Sequence, residues 1–390
     1  MSKGYVFAMK RYGYKTFWTV TCVAVTYCCV LGLQTTQCQS AFISQSVSAS
    51  RRTAIVQAVE KVAPAVVSIT AKQVQYVREF VPLFDFGSVF PFGMPGIPQS
   101  RAQMVSSLSS GVIFSNDGLI LTNEHGVPDN AMLTITLPDG REITGDNVTL
   151  IGKDFESDIA LLRIKSDKTL PTASLGQSGD LMIGEWVIAI GNPFGYVLGD
   201  PKPSVSVGVV SALDRWFGGA GGEKRVYRDM IQTDASINQG NSGGPLVNAD
   251  GKVIGINTFI ISKTGESIGL GFAIPIDRAH RIADELLHYG HIRSVDLGFS
   301  VGSVDEGVAK MLGIKRTSGV VVVELIRTGA AARAGLDIGD LIYEVNGRSI
   351  NDVEDARMVF RSLMVGDRVD MKVERSGKDI SIGFDAIELK

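Results

Sequence analysis

The sequence predicts a mainly β chain of the barrel or sandwich kind, and two observations carry that expectation. Short apolar runs are separated by turn residues, as in Leu133–Leu137 before Pro138-Asp-Gly140 and Val253–Thr258 after Asn248-Ala-Asp-Gly251. Helical spacing is confined to a few stretches, so the strand–helix alternation of a parallel βαβ sheet is missing. With 390 residues, 45% hydrophobic and 20% charged, the chain has globular composition and room for two or three domains.

Taken in order, residues 1–41 carry Lys3, Lys10, Arg11 and Lys15 with no acidic residue, then the uncharged apolar run Phe17–Leu33. That is the n-region and h-region of an export signal. The 17 apolar residues lie between an ordinary signal and a comfortable membrane span, and Gln37-Cys-Gln-Ser-Ala41 is a poor cleavage site. We therefore expect a signal peptide retained as an inner-membrane anchor, with a soluble form after cleavage as the alternative. All four cysteines, Cys22, Cys28, Cys29 and Cys38, lie in this leader. Export without disulfides in the folded body points to a bacterial periplasm. Setting the leader aside leaves 34 basic against 41 acidic residues, which does not favour nucleic acid as a partner.

Residues 42–51 are Ser- and Gln-rich and read as a linker. Arg52–Val74 opens with a short helix-like piece and the strand Ala65–Thr70. Phe80, Phe84, Phe86, Phe90 and Phe92 then alternate with Gly and Pro in Phe80–Ser100, an aromatic loop suited to a subunit, substrate or membrane contact. Gly118–Asn123 reads as a strand that delivers His125 to a turn containing Gly126, Pro128 and Asp129. Asp158 directly precedes the apolar strand Ile159–Ile164. The Gly- and charge-rich Asp214–Asp229 reads as a loop or a long hairpin tip, and Pro275–Arg293 has helical spacing through Ile276, Ala279, Ile282, Ala283, Leu286 and Leu287.

The most informative stretch is Gly240-Asn-Ser-Gly-Gly-Pro245. Glycines on both sides let the backbone turn sharply, expose the Ser242 hydroxyl and aim amide N–H groups beside it. A serine nucleophile needs a base, usually an imidazole, and that base needs an orienting carboxylate. Three of the four histidines, His280, His288 and His291, fall on the predicted helix or its end, which leaves His125 at its strand end. Asp158 is the best-placed carboxylate.

Five motifs now stand in order: Thr122-Asn-Glu-His-Gly-Val127, Ser157-Asp-Ile-Ala-Leu-Leu162, Ile190-Gly-Asn-Pro-Phe-Gly195, Ile231–Pro245 and Gly269-Leu-Gly-Phe-Ala-Ile-Pro275. Together they resemble the HtrA (Deg) serine proteases from about residue 52 onward. The resemblance implies a trypsin-like double six-stranded antiparallel β-barrel over 52–290, with barrels at about 52–165 and 172–275 and the site in the cleft between them. It assigns His125 as base, Asp158 as its carboxylate and Ser242 as nucleophile, with Gly240, Asn241 and Ser242 as the oxyanion hole. It also implies a substrate pocket at Ile237, Thr258, Phe259 and Ile260. These positions carry no carboxylate, so small or branched apolar P1 residues are expected. Arg215, in the Asp214–Asp229 segment, is implied as the relay of a regulatory sensor loop. The family usually carries a β-branched residue where this chain has Gly126, and a glycine there would loosen the backbone beside His125.

Residues 295–387 resemble a single PDZ domain through Asp296-Leu-Gly-Phe299, Gly319–Ile326, Ala331–Leu336, Gly339–Gly347 and the helix-like Val353–Leu363. The resemblance implies that Asp296, Leu297, Gly298 and Phe299 hold a peptide C-terminus at a sheet edge. No cofactor or metal is expected. The implied partners are unfolded or misfolded envelope proteins, peptide C-termini and further copies of the chain in a homotrimer or larger assembly. The leading expectation is an exported serine endopeptidase of envelope quality control. The alternatives are a membrane-anchored regulatory protease that makes one site-specific cut in a stress-signalling substrate, and a chaperone or scaffold with an inactive site.

Overall fold

The computed structural model describes residues 50–81, 97–192, 200–218, 225–238, 240–260 and 269–389. The leader, all four cysteines and Phe84, Phe86, Phe90 and Phe92 lie outside the described residues. No helix among the described residues is long and apolar enough to cross a membrane.

Helix α1 (Ala54–Val62) precedes seven strands: β1 (Val66–Val81), β2 (Ile97–Ile113), β3 (Leu119–Thr122), β4 (Met132–Thr136), β5 (Glu142–Thr144), β6 (Val148–Asp154) and β7 (Ile159–Ile164). They form an antiparallel sheet in the order β5-β4-β1-β2-β3-β7-β6. The arms flanking the aromatic segment pair continuously from Val66↔Val112 to Val81↔Ile97. β7 is buried along nearly its whole length, which explains why its sequence is apolar without alternation. This sheet has seven strands where six were expected, because the turn after β4 folds back as the short β5.

A second set closes into a six-stranded barrel in the order β10-β13-β12-β11-β8-β9. Its strands are β8 (Trp186–Gly191), β9 (Ser204–Gly218), β10 (Val226–Thr233), β11 (Pro245–Asn248), β12 (Val253–Ile260) and β13 (Gly271–Pro275). Inward side chains of Val187, Ala189, Val210, Ile231, Leu246 and Ala273 fill it. Most of Asp214–Asp229 is strand, because β9 and β10 extend to Gly218 and from Val226. Pairing between them slips in several places, and Asp214 and Asp229 both have positive φ, at 54° and 53°. Such bulges let a charged, irregular sequence remain in a ladder.

Helix α2 (Ile276–Tyr289) buries Ile276, Ala279, Ile282, Ala283 and Leu286, the face its spacing predicts. The C-terminal module contains β14 (Val295–Asp296), β15 (Phe299–Ser303), α3 (Glu306–Leu312), β16 (Val320–Leu325), α4 (Ala330–Arg333), β17 (Leu341–Val345), β18 (Arg348–Ser349), α5 (Val353–Arg361), β19 (Arg368–Arg375), β20 (Lys378–Asp385) and β21 (Ile387–Glu388). Asn346 and Gly347 turn β17 into β18 with φ of 50° and 78°, the paired positive values of a tight hairpin. Asp352 caps α5 by accepting from the amides of Glu354 and Asp355. Trp216 of β9 packs against this module's core, as do Phe299 and Phe360.

Candidate active site

β3 ends in a 3₁₀ turn, Glu124–Gly126, that carries His125. Two bonds tie this turn to Asp158: Glu124 N–H donates to the Asp158 carbonyl at 3.1 Å, and the Asn123 side-chain amide donates to it at 2.9 Å. Asp158 sits between β6 and β7 in the left-handed region, φ 59°, a conformation aspartate tolerates better than most residues. Its carboxylate is fully buried. Oδ1 accepts the His125 backbone N–H at 3.1 Å, and the His125 ring Nδ1 lies 3.0 Å from Oδ1 and 2.9 Å from Oδ2. Oδ2 also accepts the Thr258 hydroxyl at 2.7 Å, with the Tyr227 hydroxyl at 3.4 Å. Arg225 donates to Oδ1 as well, and its second nitrogen donates to Glu124 at 2.8 Å.

Gly126 is buried, and a Cβ built on it would lie 2.5 Å from Ser109 Oγ and 2.8 Å from Ser109 Cβ. Ser109 thus fills the space that a side chain at position 126 would take, so the glycine leaves no gap beside His125.

Ser242 follows Gly240, whose φ of 99° supplies the sharp turn. Its carbonyl accepts from Ser110 N–H at 2.8 Å, while the Ser110 hydroxyl donates to the Gly240 carbonyl at 2.6 Å. The Asn241 amide donates to Asn238 O at 3.0 Å, which leaves the amides of Gly240 and Ser242 without a bond among the described residues. The Ser242 hydroxyl donates to the Thr258 carbonyl at 2.7 Å and not to the His125 ring. Thr258 thus touches both ends of the arrangement.

Ile237 is 1% exposed and packs among the second-barrel core residues. Phe259 and Ile260 end β12, paired with Phe272 and Gly271. Arg215 lies in β9 and donates to the Gln232 side chain at 3.1 Å. Asp296 accepts the Gly298 amide at 2.8 Å, Leu297 packs against the module's core, and Phe299 meets Phe360 edge-on at 5.5 Å. β15, which starts at Phe299, is an edge strand in the order β15-β16-β17-β19-β20, a backbone edge of the kind that accepts an added strand. Among the described residues no cluster of three metal-type side chains occurs.

Four residues at this site escaped the sequence reading: Glu124, Arg225, Tyr227 and the hydroxyl of Thr258. Each is distant in sequence from the group it touches, or is one strand residue among many of its kind.

Residues 109–256 match a family model described as a trypsin-like peptidase domain, and residues 295–384 match a PDZ domain. The chain is 38% identical over 349 residues to a probable periplasmic serine endoprotease DegP-like of Halomonas elongata, covering 86% of this chain and 71% of that one. It is 33% identical over 375 residues to the periplasmic serine endoprotease DegP of Escherichia coli K12, covering 91% and 77%. The chain belongs to the HtrA family of serine endoproteases. Among solved structures, the HtrA-type protease AlgW with a decapeptide has a TM-score of 0.58 at 35% identity, covering 85% of this chain and 98% of that one. This HtrA protein is a mainly β serine endopeptidase with one PDZ domain, and its compartment is the periplasm.

The charges of this HtrA site lean on one another. Burial alone would raise the Asp158 carboxyl, but the hydrogen bond and charge of His125, the Thr258 hydroxyl and the charge of Arg225 together hold it below the usual range. Burial and the Asp158 charge push Tyr227 up to about 12, so its hydroxyl stays protonated and able to donate.

Proposed function

We propose that Ser242, His125 and Asp158 work as a catalytic triad, and that this HtrA endopeptidase cuts misfolded envelope proteins when a peptide C-terminus occupies its PDZ domain. The observation that supports this most is the buried Asp158 carboxylate, which grips both the backbone N–H and the ring Nδ1 of His125. With Nδ1 held there, the ring presents Nε2 for proton transfer, in the tautomer a general base needs. Ser242 attacks the peptide carbonyl as His125 takes its proton, and the same ring then hands the proton to the leaving amine. The amides of Gly240 and Ser242 receive the oxyanion.

The enzyme rests with the Ser242 hydroxyl on the Thr258 carbonyl, so the hydroxyl must rotate towards His125 before attack. A peptide is the natural trigger. AlgW was solved with a decapeptide and with a tripeptide, and in this chain the edge of β15 is the place for one to add. Ile237, Thr258, Phe259 and Ile260 shape the pocket for small or branched apolar P1 residues, and the chains assemble as homotrimers or larger homo-oligomers.

The test is fluorophosphonate labelling of the full chain with and without an apolar C-terminal peptide, beside Ser242→Ala and a casein digest. Labelling and digestion that rise with peptide and vanish in Ser242→Ala are expected. Absence of labelling in both conditions would reject the reading, and a preference for basic P1 residues in peptide profiling would reject the pocket.

A further inference from the structure

The first turn of chain at β10 faces two places at once. On one side Arg225 lies on Asp158 and Glu124, its guanidinium 4.4 Å over the Phe155 ring, and Tyr227 reaches the other Asp158 oxygen. On the other side Arg228 donates to the carbonyl and hydroxyl of Ser362, at 3.1 and 3.2 Å, where PDZ helix α5 ends. Asp229 accepts the Trp216 indole N–H at 2.9 Å and pairs with Arg348 of β18 at 3.4 Å. Arg348 also stacks 3.4 Å over the Trp216 ring. A regular strand would send 225, 227 and 229 to one face and 228 to the other. The slip in pairing between Tyr227 and Met230, with Asp229 at φ 53°, turns Asp229 away to join Arg228. Four positions in this short stretch thus connect the PDZ domain to the triad carboxylate.

The carboxylate of a triad works by stabilising the positive charge that its imidazole acquires. A guanidinium carries its charge at every working pH. Placed on Oδ1, it makes Asp158 serve two cations and opposes the charge forming on His125. The other charges here are Glu124, which shares Arg225 with Asp158, and Lys153, which pairs with Glu124 at 3.0 Å and Asp129 at 2.8 Å. A third PDZ residue, Arg361, pairs with Glu156, two positions before Asp158.

We propose that Arg225 is a positioning residue that restrains the triad by holding Asp158, and that the PDZ domain keeps it there through Arg228 and Asp229. The inference rests on the triad reading above. It predicts a gain of function: a residue that merely braces the site would lower activity when removed.

The full chain is assayed with a peptide of apolar P1, recording kcat/KM across pH for the wild type, Arg225→Gln, Arg225→Lys, Arg228→Ala, the Arg225→Gln/Arg228→Ala double variant and Ser242→Ala. Arg225→Gln should raise kcat/KM about fivefold near neutrality and move the acid limb of the profile to higher pH. Arg225→Lys, which keeps the charge, should follow the wild type. Arg228→Ala, which removes the bonds to Ser362 and the pair with Asp229, should give part of the same gain and add nothing to Arg225→Gln. Should Arg225→Gln fail to fold, Arg228→Ala carries the test alone and must move rate and acid limb in those directions. A lower kcat/KM with an unmoved acid limb in the folded variants overturns the inference. An active Ser242→Ala would instead overturn the triad reading beneath it.

Discussion

The two ends of the site are held very differently. At the carboxylate end, Asp158 accepts from a backbone amide, an imidazole, a hydroxyl and a guanidinium, all around a fully buried group. At the nucleophile end, Ser242 turns its hydroxyl to the Thr258 carbonyl, and the amides of Gly240 and Ser242 have no bond among the described residues. The carboxylate end is thus built between two sheet strands and a packed turn, whereas the serine end sits in a glycine-flanked turn that begins at Gly240 with φ 99°. On the triad proposed above, the difference places control at the serine end, where the hydroxyl is turned to Thr258 while His125 is held by Asp158.

The strongest way to break this comparison is at its held end. Asp158→Asn keeps the shape but presents a donor to His125, which favours the wrong tautomer, so kcat should fall by about 10⁴ in peptide hydrolysis while the fold survives. A loss below tenfold would show that Asp158 does not orient the base. The packing beneath the same end is tested by Gly126→Val. Its added atoms meet Ser109, so a loss of roughly 1–3 kcal/mol is expected by chemical denaturation, and Ser109→Gly should recover most of it. No recovery in the double variant would mean the two residues do not share the space. Thr258→Val then removes only the hydroxyl that holds Asp158 and leaves the carbonyl that holds Ser242. About a tenfold fall in kcat/KM is expected, with labelling by fluorophosphonate still responsive to peptide.

Much of this was legible in the residues. Gly240–Pro245 marks the turn, the placing of the four histidines singles out His125, and Asp158 stands where an apolar strand begins. Those are local signals: glycine where the backbone must turn, an acid at the edge of a buried strand. Arg225 and Thr258 left no such signal, because each meets Asp158 only after the two sheets come together, 67 and 100 positions apart. The Asp214–Asp229 segment shows the same limit. Its glycines and charges read as a loop, yet β9 runs on to Gly218 and β10 begins at Val226 with bulges in their pairing, and the bulge is what aims Asp229 at the PDZ domain. Gly126 was legible only as an oddity, since its partner Ser109 lies in another strand.

The smallest expected effect concerns stability against pH, and its sign follows from the held end. Burial works to raise the Asp158 carboxyl, but His125, Thr258 and Arg225 outweigh it, so the folded value lies below the unfolded one. A group depressed in this way favours the folded state above its unfolded value, about pH 4, and that contribution is lost as pH falls through the folded value. Asp158→Asn has no proton to take up there. Its melting temperature should therefore decline less steeply than that of the wild type between about pH 5 and pH 2, the two curves converging towards acid. Parallel curves would mean that the donors around Asp158 only offset its burial, and the contrast between a held carboxylate and a serine turned to Thr258 would then be one of geometry alone.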